Sequence, residues 1–227
     1  MTESAATENY LKVLWTAGEW SDEPVTVSRL AGRLGLAASS VSEVVRRLTE
    51  RGLVAHARYG TIELTDDGRR IALATVRKHR LIETFLVDYL GYTWDEVHDE
   101  ADVLEHAVSD TFVERLAARL GEPDRDPHGD PIPHADGSLP NEAELTLDAV
   151  AEGARVRVVR VSDTDPRMLR HLDRLGIALG SVLQVIERHD TAGTIDVVHD
   201  DGALVLGVPA ARAIRVDVIE EIAAHRR

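Results

Sequence analysis

Residues 26–52, TVSRLAGRLGLAASSVSEVVRRLTERG, have the pattern of two helices joined by a tight turn. A threonine at the start and Gly35 in the middle are typical of a helix N-cap and a helix C-terminal stop, which predicts a helix over residues 27–34. A second helix is predicted over residues 38–51, with valines and a leucine at helical spacing on its inner face. A short hairpin over residues 53–64 follows. Helix, turn, helix and hairpin in this order predict a winged helix-turn-helix.

The second of these helices has an outer face of the kind that reads nucleic acid. Hydroxyl and charged side chains can contact base edges or phosphates from such a helix, and a basic residue on the hairpin can contact the backbone as a wing. The alternative is that these are the solvated polar faces of a small helical domain. The candidate DNA-binding residues are Ser39, Ser40, Ser42, Glu43, Arg46 and Arg47 on the helix, and Arg58 and Tyr59 on the hairpin.

The chain outside this motif divides into a helical part and a strand-rich part. Apolar spacing, caps and glycine stops predict helices over residues 7–17, 66–90, 94–108 and 110–120. From residue 154 the pattern changes to five short valine-rich runs around a predicted helix at 166–175, which is typical of a small β-barrel. We therefore predict an α+β protein, with a DNA-binding domain at 1–75, a helical domain at 76–140, a linker at 141–153 and a β-barrel domain at 154–227.

Charge is distributed unevenly along the 227 residues, whose formal net charge is −14. Residues 1–80 hold 12 Lys or Arg and 10 Asp or Glu, whereas residues 81–140 hold 3 and 15. The acidic middle segment therefore predicts a cationic partner. There is no cysteine, which excludes disulfides, iron–sulfur clusters and thiol nucleophiles. No apolar run approaches membrane-spanning length and no secretion-signal pattern occurs at the N-terminus, so we expect a cytoplasmic protein with no membrane partner.

Histidines and carboxylates recur at helical spacing within the acidic segment. On a predicted helix, positions 98, 102, 105 and 106 fall on one face, and positions 79 and 83 share a face of the preceding helix. The six ligand-type residues could hold one or two divalent ions; the alternative is an exposed acidic helix face. Carboxylate and imidazole ligands suit Mn²⁺, Fe²⁺, Co²⁺ or Zn²⁺. These residues are His79, Glu83, His98, Asp102, Glu105 and His106.

The patterns of common enzyme sites are absent from the sequence. It contains no H-E-x-x-H, G-x-G-x-x-G, P-loop or G-x-S-x-G motif, so we expect neither an enzyme nor a small-molecule substrate. Two other classes stay open from the residues alone. One is a metalloenzyme in which Glu105 or Asp102 acts as a general base beside a bound ion. The other is a metal-independent helix-turn-helix protein whose β-domain binds a peptide or a small effector.

A family resemblance rests on the order of these motifs. A winged helix is followed by His79-x-x-x-Glu83, by Asp95–His98 leading to the 102–106 set, and by Asp-Pro-His-Gly-Asp-Pro-Ile-Pro at 126–133. This order resembles the diphtheria toxin repressor family of metal-dependent regulators over residues 5–135, and more weakly through a C-terminal SH3-like (FeoA-like) domain. The resemblance implies a homodimeric repressor that binds a palindromic operator, with a divalent metal as corepressor.

The resemblance also implies which residues bind metal. His79, Glu83 and His98 match the ancillary site of the family, with Arg80 nearby, and Asp102, Glu105 and His106 match its primary site. Asp165 lies where the family sends a carboxylate from the C-terminal domain. The N-terminal ligand, a methionine or an aspartate in the family, aligns with Asn9, beside Glu8 as a substitute.

The metal itself is predicted from one position. Asp102 stands where the iron-sensing branch has a cysteine, which resembles the manganese-sensing (manganese transport regulator-like) branch. We therefore expect Mn²⁺ as cofactor, with Fe²⁺ as the alternative and with Co²⁺ or Zn²⁺ able to substitute in vitro.

Overall fold

The N-terminal region of the structure, a computed structural model that describes residues 3–56, 60–140, 145–199 and 202–220, is a winged helix-turn-helix. This confirms the prediction for this region. Its core consists of fully buried aliphatic side chains such as Leu11, Leu30, Val41 and Val45. Its elements are α1 (Ala5–Ala17), α2 (Val27–Leu34), α3 (Ala38–Glu50), β1 (Val54–His56) and β2 (Ile62–Leu64), and the two strands pair antiparallel.

Local capping explains where these helices begin and end. The hydroxyl of Thr26 accepts a hydrogen bond from the backbone N–H of Arg29, and Gly35 follows α2 in the left-handed conformation that favours glycine. Thr65 caps the next helix in the same way, through the N–H of Gly68. The apolar stripe of each helix then faces the common core.

Three helices form the middle of the molecule around a second core. They are α4 (Asp66–Leu90), α5 (Val97–Leu104) and α6 (Asp110–Leu120). Leu81, Val97, Ala117 and Ile132 are buried between them. Both α1 and α5 pack against α4, so the long helix joins the DNA-binding region to the helical region.

The helix predicted over residues 94–108 is shorter than expected. The backbone N–H of Thr93 donates to Glu96 Oε1 over 3.2 Å, as a capping box requires, but the helix begins only at Val97. Beyond Leu104 the chain continues as a turn, in which the N–H groups of residues 107 and 108 both donate to the Leu104 carbonyl. This turn brings Glu105 and the residue after it towards α1 and α4.

The C-terminal region is a six-stranded antiparallel sheet, which confirms the SH3-like β-fold. Its elements are β3 (Leu145–Thr146), β4 (Arg155–Val161), α7 (Pro166–Arg174), β5 (Val182–His189), β6 (Thr194–His199), β7 (Gly202–Gly207), α8 (Val208–Arg212) and β8 (Ile214–Glu220). The strand order is β3-β8-β4-β5-β6-β7, and the valines and isoleucines of its inner face form a third core. The sequence pattern does not predict the two-residue strand β3, the short 3-10 helix after it or α8.

The loop 126–130 docks onto strand β4 and so connects the helical and C-terminal regions. The N–H of Val161 donates to the carbonyl of His128 over 2.9 Å. Gly129 has φ +84°, and a Cβ there would overlap the backbone carbonyl of Val159. Glycine is therefore required at this close approach.

Among the described helices, none combines the length and the apolar composition that a bilayer span needs.

Candidate metal centre

The sequence-predicted ligands meet where α1, α4 and α5 come together. Glu83 is fully buried, Glu105 is 1% exposed and His79 is 5% exposed. Buried charged groups at this density are costly unless they are paired or bind a cation. The arrangement is therefore unlike the exposed acidic helix face that the sequence left open.

One group of side chains surrounds Glu105, and we call it the Glu105 cluster. Glu105 Oε2 lies 2.6 Å from His79 Nδ1, and Glu105 Oε1 lies 3.2 Å from His106 Nε2. Asp102 Oδ1 lies 3.3 Å from the same His79 nitrogen. From α1, the amide oxygen of Asn9 lies 2.7 Å from His106 Nε2. The Glu105 cluster thus consists of His79, Asp102, Glu105, His106 and Asn9.

Two further side chains of α1 reach the Glu105 cluster. Glu8 Oε2 lies 2.9 Å from His106 Nδ1, on the other side of the ring from Asn9. Lys12 Nζ donates to Asp102 Oδ1 over 2.7 Å and to both oxygens of Glu105 over 2.7 and 2.8 Å. The sequence pattern gave no reason to place Lys12 among these residues.

A second group surrounds Glu83, and we call it the Glu83 cluster: Glu83, His98, His128 and Asp163. Glu83 Oε1 lies 3.0 Å from His79 Nε2 and 3.2 Å from His98 Nδ1. Glu83 Oε2 and His128 Nδ1 lie 3.9 Å apart, and neither atom has a hydrogen-bond partner among the described residues. Asp163 Oδ2 lies 3.5 Å from His98 Nδ1. An unpaired carboxylate oxygen facing an unpaired imidazole nitrogen fits a divalent cation.

The Glu83 cluster contains residues that sequence reasoning missed. His128 lies in the 126–133 motif, which carries the family resemblance but no predicted ligand, and Asp163 follows strand β4. Asp165, the expected C-terminal carboxylate, instead caps α7 by accepting from the N–H of Arg167 over 2.9 Å. The structure therefore brings Asp163, two residues earlier, to the helical region. Asp126 completes the local framework, since its Oδ1 accepts from the N–H groups of His128 and Asp130.

The electrostatics of both clusters favour bound protons when no other cation is present. Burial lowers the pKa of His79, but the charge of Glu83 and the hydrogen bond to Glu105 outweigh it and raise this pKa to about 10. Burial also lowers the pKa of His128, but the negative charges of Asp126 and Glu83 outweigh it and raise this pKa to about 9. Burial raises the pKa of Glu83, but His79 and His98 overcome it and hold this pKa well below its usual value.

Arg80 joins three parts of the chain beside the clusters. Its guanidinium donates to both oxygens of Glu19 over 2.8 and 3.0 Å and to the carbonyl of Pro131 over 2.7 Å. It also lies 3.8 Å from Asp126 and 3.9 Å from Asp130. Arg80 thus lies next to the Glu105 and Glu83 clusters, as the resemblance implies, but the carboxylates that it stabilises lie outside both.

The outer face of α3 is exposed along its length, including the predicted hydroxyls Ser39, Ser40 and Ser42, and Arg47. Arg46 forms ion pairs within the helix, with Glu43 over 2.7 Å and with Glu50. The other two predicted contacts, Arg58 and Tyr59, lie outside the described residues.

Comparison with known proteins places each region of the chain. Residues 3–62 match the iron-dependent repressor N-terminal DNA-binding domain, residues 65–134 match the iron-dependent repressor metal-binding and dimerisation domain, and residues 145–218 match the FeoA domain. The diphtheria toxin repressor of Corynebacterium efficiens is 33% identical over 224 residues, which are 94% of this chain and 96% of the relative. The chain belongs to the diphtheria toxin repressor family.

Two more relatives differ in the metal that their names state. The iron-dependent repressor IdeR of Mycobacterium tuberculosis is 41% identical over 127 residues, 56% of this chain and 55% of that protein. A solved manganese-dependent transcriptional repressor in complex with manganese is 54% identical, with a TM-score of 0.89 over 94% of this chain and 100% of its own. As a family member, the chain is a metal-dependent transcriptional repressor that binds DNA and a divalent metal.

Proposed function

We propose that this repressor responds to manganese: Mn²⁺ is the corepressor, a palindromic operator is the DNA partner, and the protein acts as a homodimer without enzymatic activity. The observation that carries the proposal is the Glu105 cluster, in which α1, α4 and α5 together present carboxylate, imidazole and amide donors. Such a hard, oxygen-rich donor set suits Mn²⁺. The manganese-bound structure at 54% identity supports the same metal.

We assign a metal-binding role to the residues of both clusters. In the Glu105 cluster the ligands are Asp102, Glu105 and His106, with His79 and the amide oxygen of Asn9. In the Glu83 cluster they are Glu83, His98, His128 and Asp163. The unpaired Glu83 Oε2 and His128 Nδ1 are the free donor atoms that support the second assignment. A bound divalent ion supplies the positive charge that offsets carboxylates packed this closely.

The elements that carry these ligands explain how metal binding reaches the DNA. Asn9 lies on α1, which packs in the winged helix, whereas Glu105 and His106 follow α5 of the helical region. Holding both sets together fixes the recognition helix α3 relative to the dimerisation region. Two recognition helices held in a dimer at about 34 Å match successive major-groove faces of DNA.

Exposed apolar side chains support the homodimer. Tyr89 is 48% exposed, Leu90 is 58% exposed and Phe112 is 46% exposed, and they lie on α4 and α6 of the region that matches the dimerisation domain. Large apolar side chains exposed on the helices of such a region are typical of a surface that a partner covers. The second protomer would cover them.

The competing function is an iron-responsive repressor of the same architecture, which the name of the mycobacterial relative favours. The test is the metal concentration that gives half-maximal binding to a palindromic duplex selected by the protein, measured anaerobically for Mn²⁺ and Fe²⁺. We expect Mn²⁺ to act at its physiological level, and Asp102→Cys to shift the response towards Fe²⁺, Co²⁺ or Zn²⁺. If Fe²⁺ activates duplex binding by the wild type and Mn²⁺ does not, the manganese assignment is wrong.

A further inference from the structure

Lys12 occupies the centre of the Glu105 cluster. Its Nζ contacts one oxygen of Asp102 and both oxygens of Glu105, all within 2.8 Å, and lies 3.5 Å from His79 Nδ1. The lysine side chain is only 9% exposed, and that of Glu105 is fully buried. A single ammonium group thus engages the donor atoms of three assigned ligands at once.

These contacts compete with binding of a divalent ion to the same atoms. An ammonium is a compact point charge with three donors, and here all of its close partners are atoms that a metal needs. Two cations sharing both oxygens of one carboxylate would repel each other across a buried, low-dielectric site. The carboxylates therefore face either Lys12 or a metal.

The fold leaves room for Lys12 to move away. Lys12 lines a cavity of about 650 Å³ that extends past Asn9 and Asp102 to Arg33 and Asp163. A long lysine side chain can rotate about four bonds, so its Nζ can turn into this space without a shift of α1.

We propose that Lys12 is a tethered competitor of the corepressor: its ammonium holds Asp102, Glu105 and His79 in the metal-free protein and must leave before a divalent ion binds them. The proposal rests on the metal-binding role of the Glu105 cluster. Lys12 thereby neutralises the cluster in the absence of metal and raises the metal concentration at which the repressor responds.

The lysine content of the chain allows a direct test, because Lys12 and Lys78 are its only lysines. The full-length protein is treated with an amine-reactive acetylating reagent in chelator and in Mn²⁺, and modification is measured by mass spectrometry. Lys78, which pairs with Asp110 over 3.0 Å outside both clusters, is the internal reference. Modification of Lys12 relative to Lys78 should rise severalfold when Mn²⁺ is bound. An unchanged or lower ratio in protein shown by calorimetry to hold Mn²⁺ would overturn the proposal.

Variants give an independent measurement. Lys12→Met should bind Mn²⁺ at least about tenfold more tightly than the wild type, since metal no longer has to break charge-assisted hydrogen bonds, and it should melt earlier in chelator. Lys12→Arg keeps the charge and should retain wild-type affinity, and Lys78→Met is the matched control. Equal or weaker Mn²⁺ binding by Lys12→Met would contradict competition. If the wild type does not bind Mn²⁺, or if Glu105→Gln binds Mn²⁺ as tightly as the wild type, the metal assignment is overturned as well.

Discussion

Glu105 is 1% exposed, and its two oxygens contact side chains from two other helices. Glu105→Gln keeps the shape but removes the negative charge. We expect it to weaken Mn²⁺ binding by more than about tenfold, because a ligand is lost that other residues cannot replace. Asn9→Ala removes only a neutral amide and should have a smaller effect. Isothermal titration of both variants tests this order, and equal losses would show that Asn9 is an essential ligand.

The raised pKa of His79, about 10, makes metal binding dependent on pH. Imidazole must lose its proton to bind metal, so Mn²⁺ binding should release protons and strengthen as pH rises from about 6.5 towards 10. In chelator the stability of the fold has the opposite pH dependence. A protonated His79 stabilises the fold fully below about pH 6.5, and this stabilisation is lost as pH rises through 10.

Calorimetry at pH 7 in two buffers of different ionisation enthalpy measures this proton release. We expect about one proton or more released per ion at the Glu105 cluster. The control is His189→Gln, which alters an exposed histidine paired with Asp196 on the C-terminal sheet and should leave the release unchanged. Heats that do not depend on the buffer would mean that His79 is neutral before metal binds.

At the scale of elements, the recognition helix α3 should contribute to DNA binding in two distinguishable ways. Arg46→Ala should weaken binding to all sequences alike and reduce the slope of log K against log salt by about one, as expected for one lost phosphate contact. Ser40→Ala should change the preference among operator variants. The matched control is Arg70→Ala, which removes an exposed arginine paired with Asp67 on α4. Wild-type DNA binding by both α3 variants would show that this helix does not read DNA.

Elements with strong local signals could be predicted from sequence almost to the residue. Helices 27–34 and 66–90 have threonine caps and glycine stops, and the structure has the same bounds. The helix expected over 94–108 was too long because no glycine or proline marks its real ends. The predicted domain boundaries, metal ligands and DNA contacts stay predictions.

The site could be predicted only where its residues follow helical periodicity. The pattern predicts that Asp102 and Glu105 share one helix face and that His79 and Glu83 share another, and the two pairs do converge. Lys12 and His128 reach the clusters through tertiary contacts between separate elements, which no local pattern reveals. The resemblance implies Asp165 where the structure brings Asp163, because sequence alone cannot tell which of two nearby carboxylates after strand β4 points to the helical region and which caps α7.

At the scale of the whole molecule, Trp20 connects the DNA-binding and C-terminal regions. The centre of its ring lies 4.8 Å from the guanidinium of Arg160 and 5.0 Å from that of Arg215. Arg215 also donates to the Glu19 carbonyl, and Arg160 Nη2 lies 3.3 Å from Glu19 Oε1. Glu19 in turn accepts from Arg80 on α4. These contacts hold the C-terminal sheet, and with it Asp163, against the helical region.

Trp20→Ala should therefore loosen this arrangement. Losing two cation–π contacts costs about 2 kcal/mol, and small-angle scattering should show a larger radius of gyration. Trp15→Ala is the matched control, since its ring is covered by Arg69 at 4.6 Å but both residues lie outside the C-terminal sheet. It should lower the melting temperature without enlarging the molecule. If Trp20→Ala keeps the wild-type radius of gyration, the contacts of Trp20 do not fix the position of the C-terminal region.

A divalent metal at the Glu105 cluster is expected to switch DNA binding on. The most direct measurement is fluorescence polarisation of a labelled palindromic duplex at one fixed salt concentration, in chelator and then in saturating Mn²⁺, for the wild type and Glu105→Gln. We expect chelator to weaken wild-type binding at least about a hundredfold, Mn²⁺ to restore it, and Glu105→Gln not to respond. Equal wild-type affinity for the duplex in chelator and in Mn²⁺ would show that metal does not switch DNA binding.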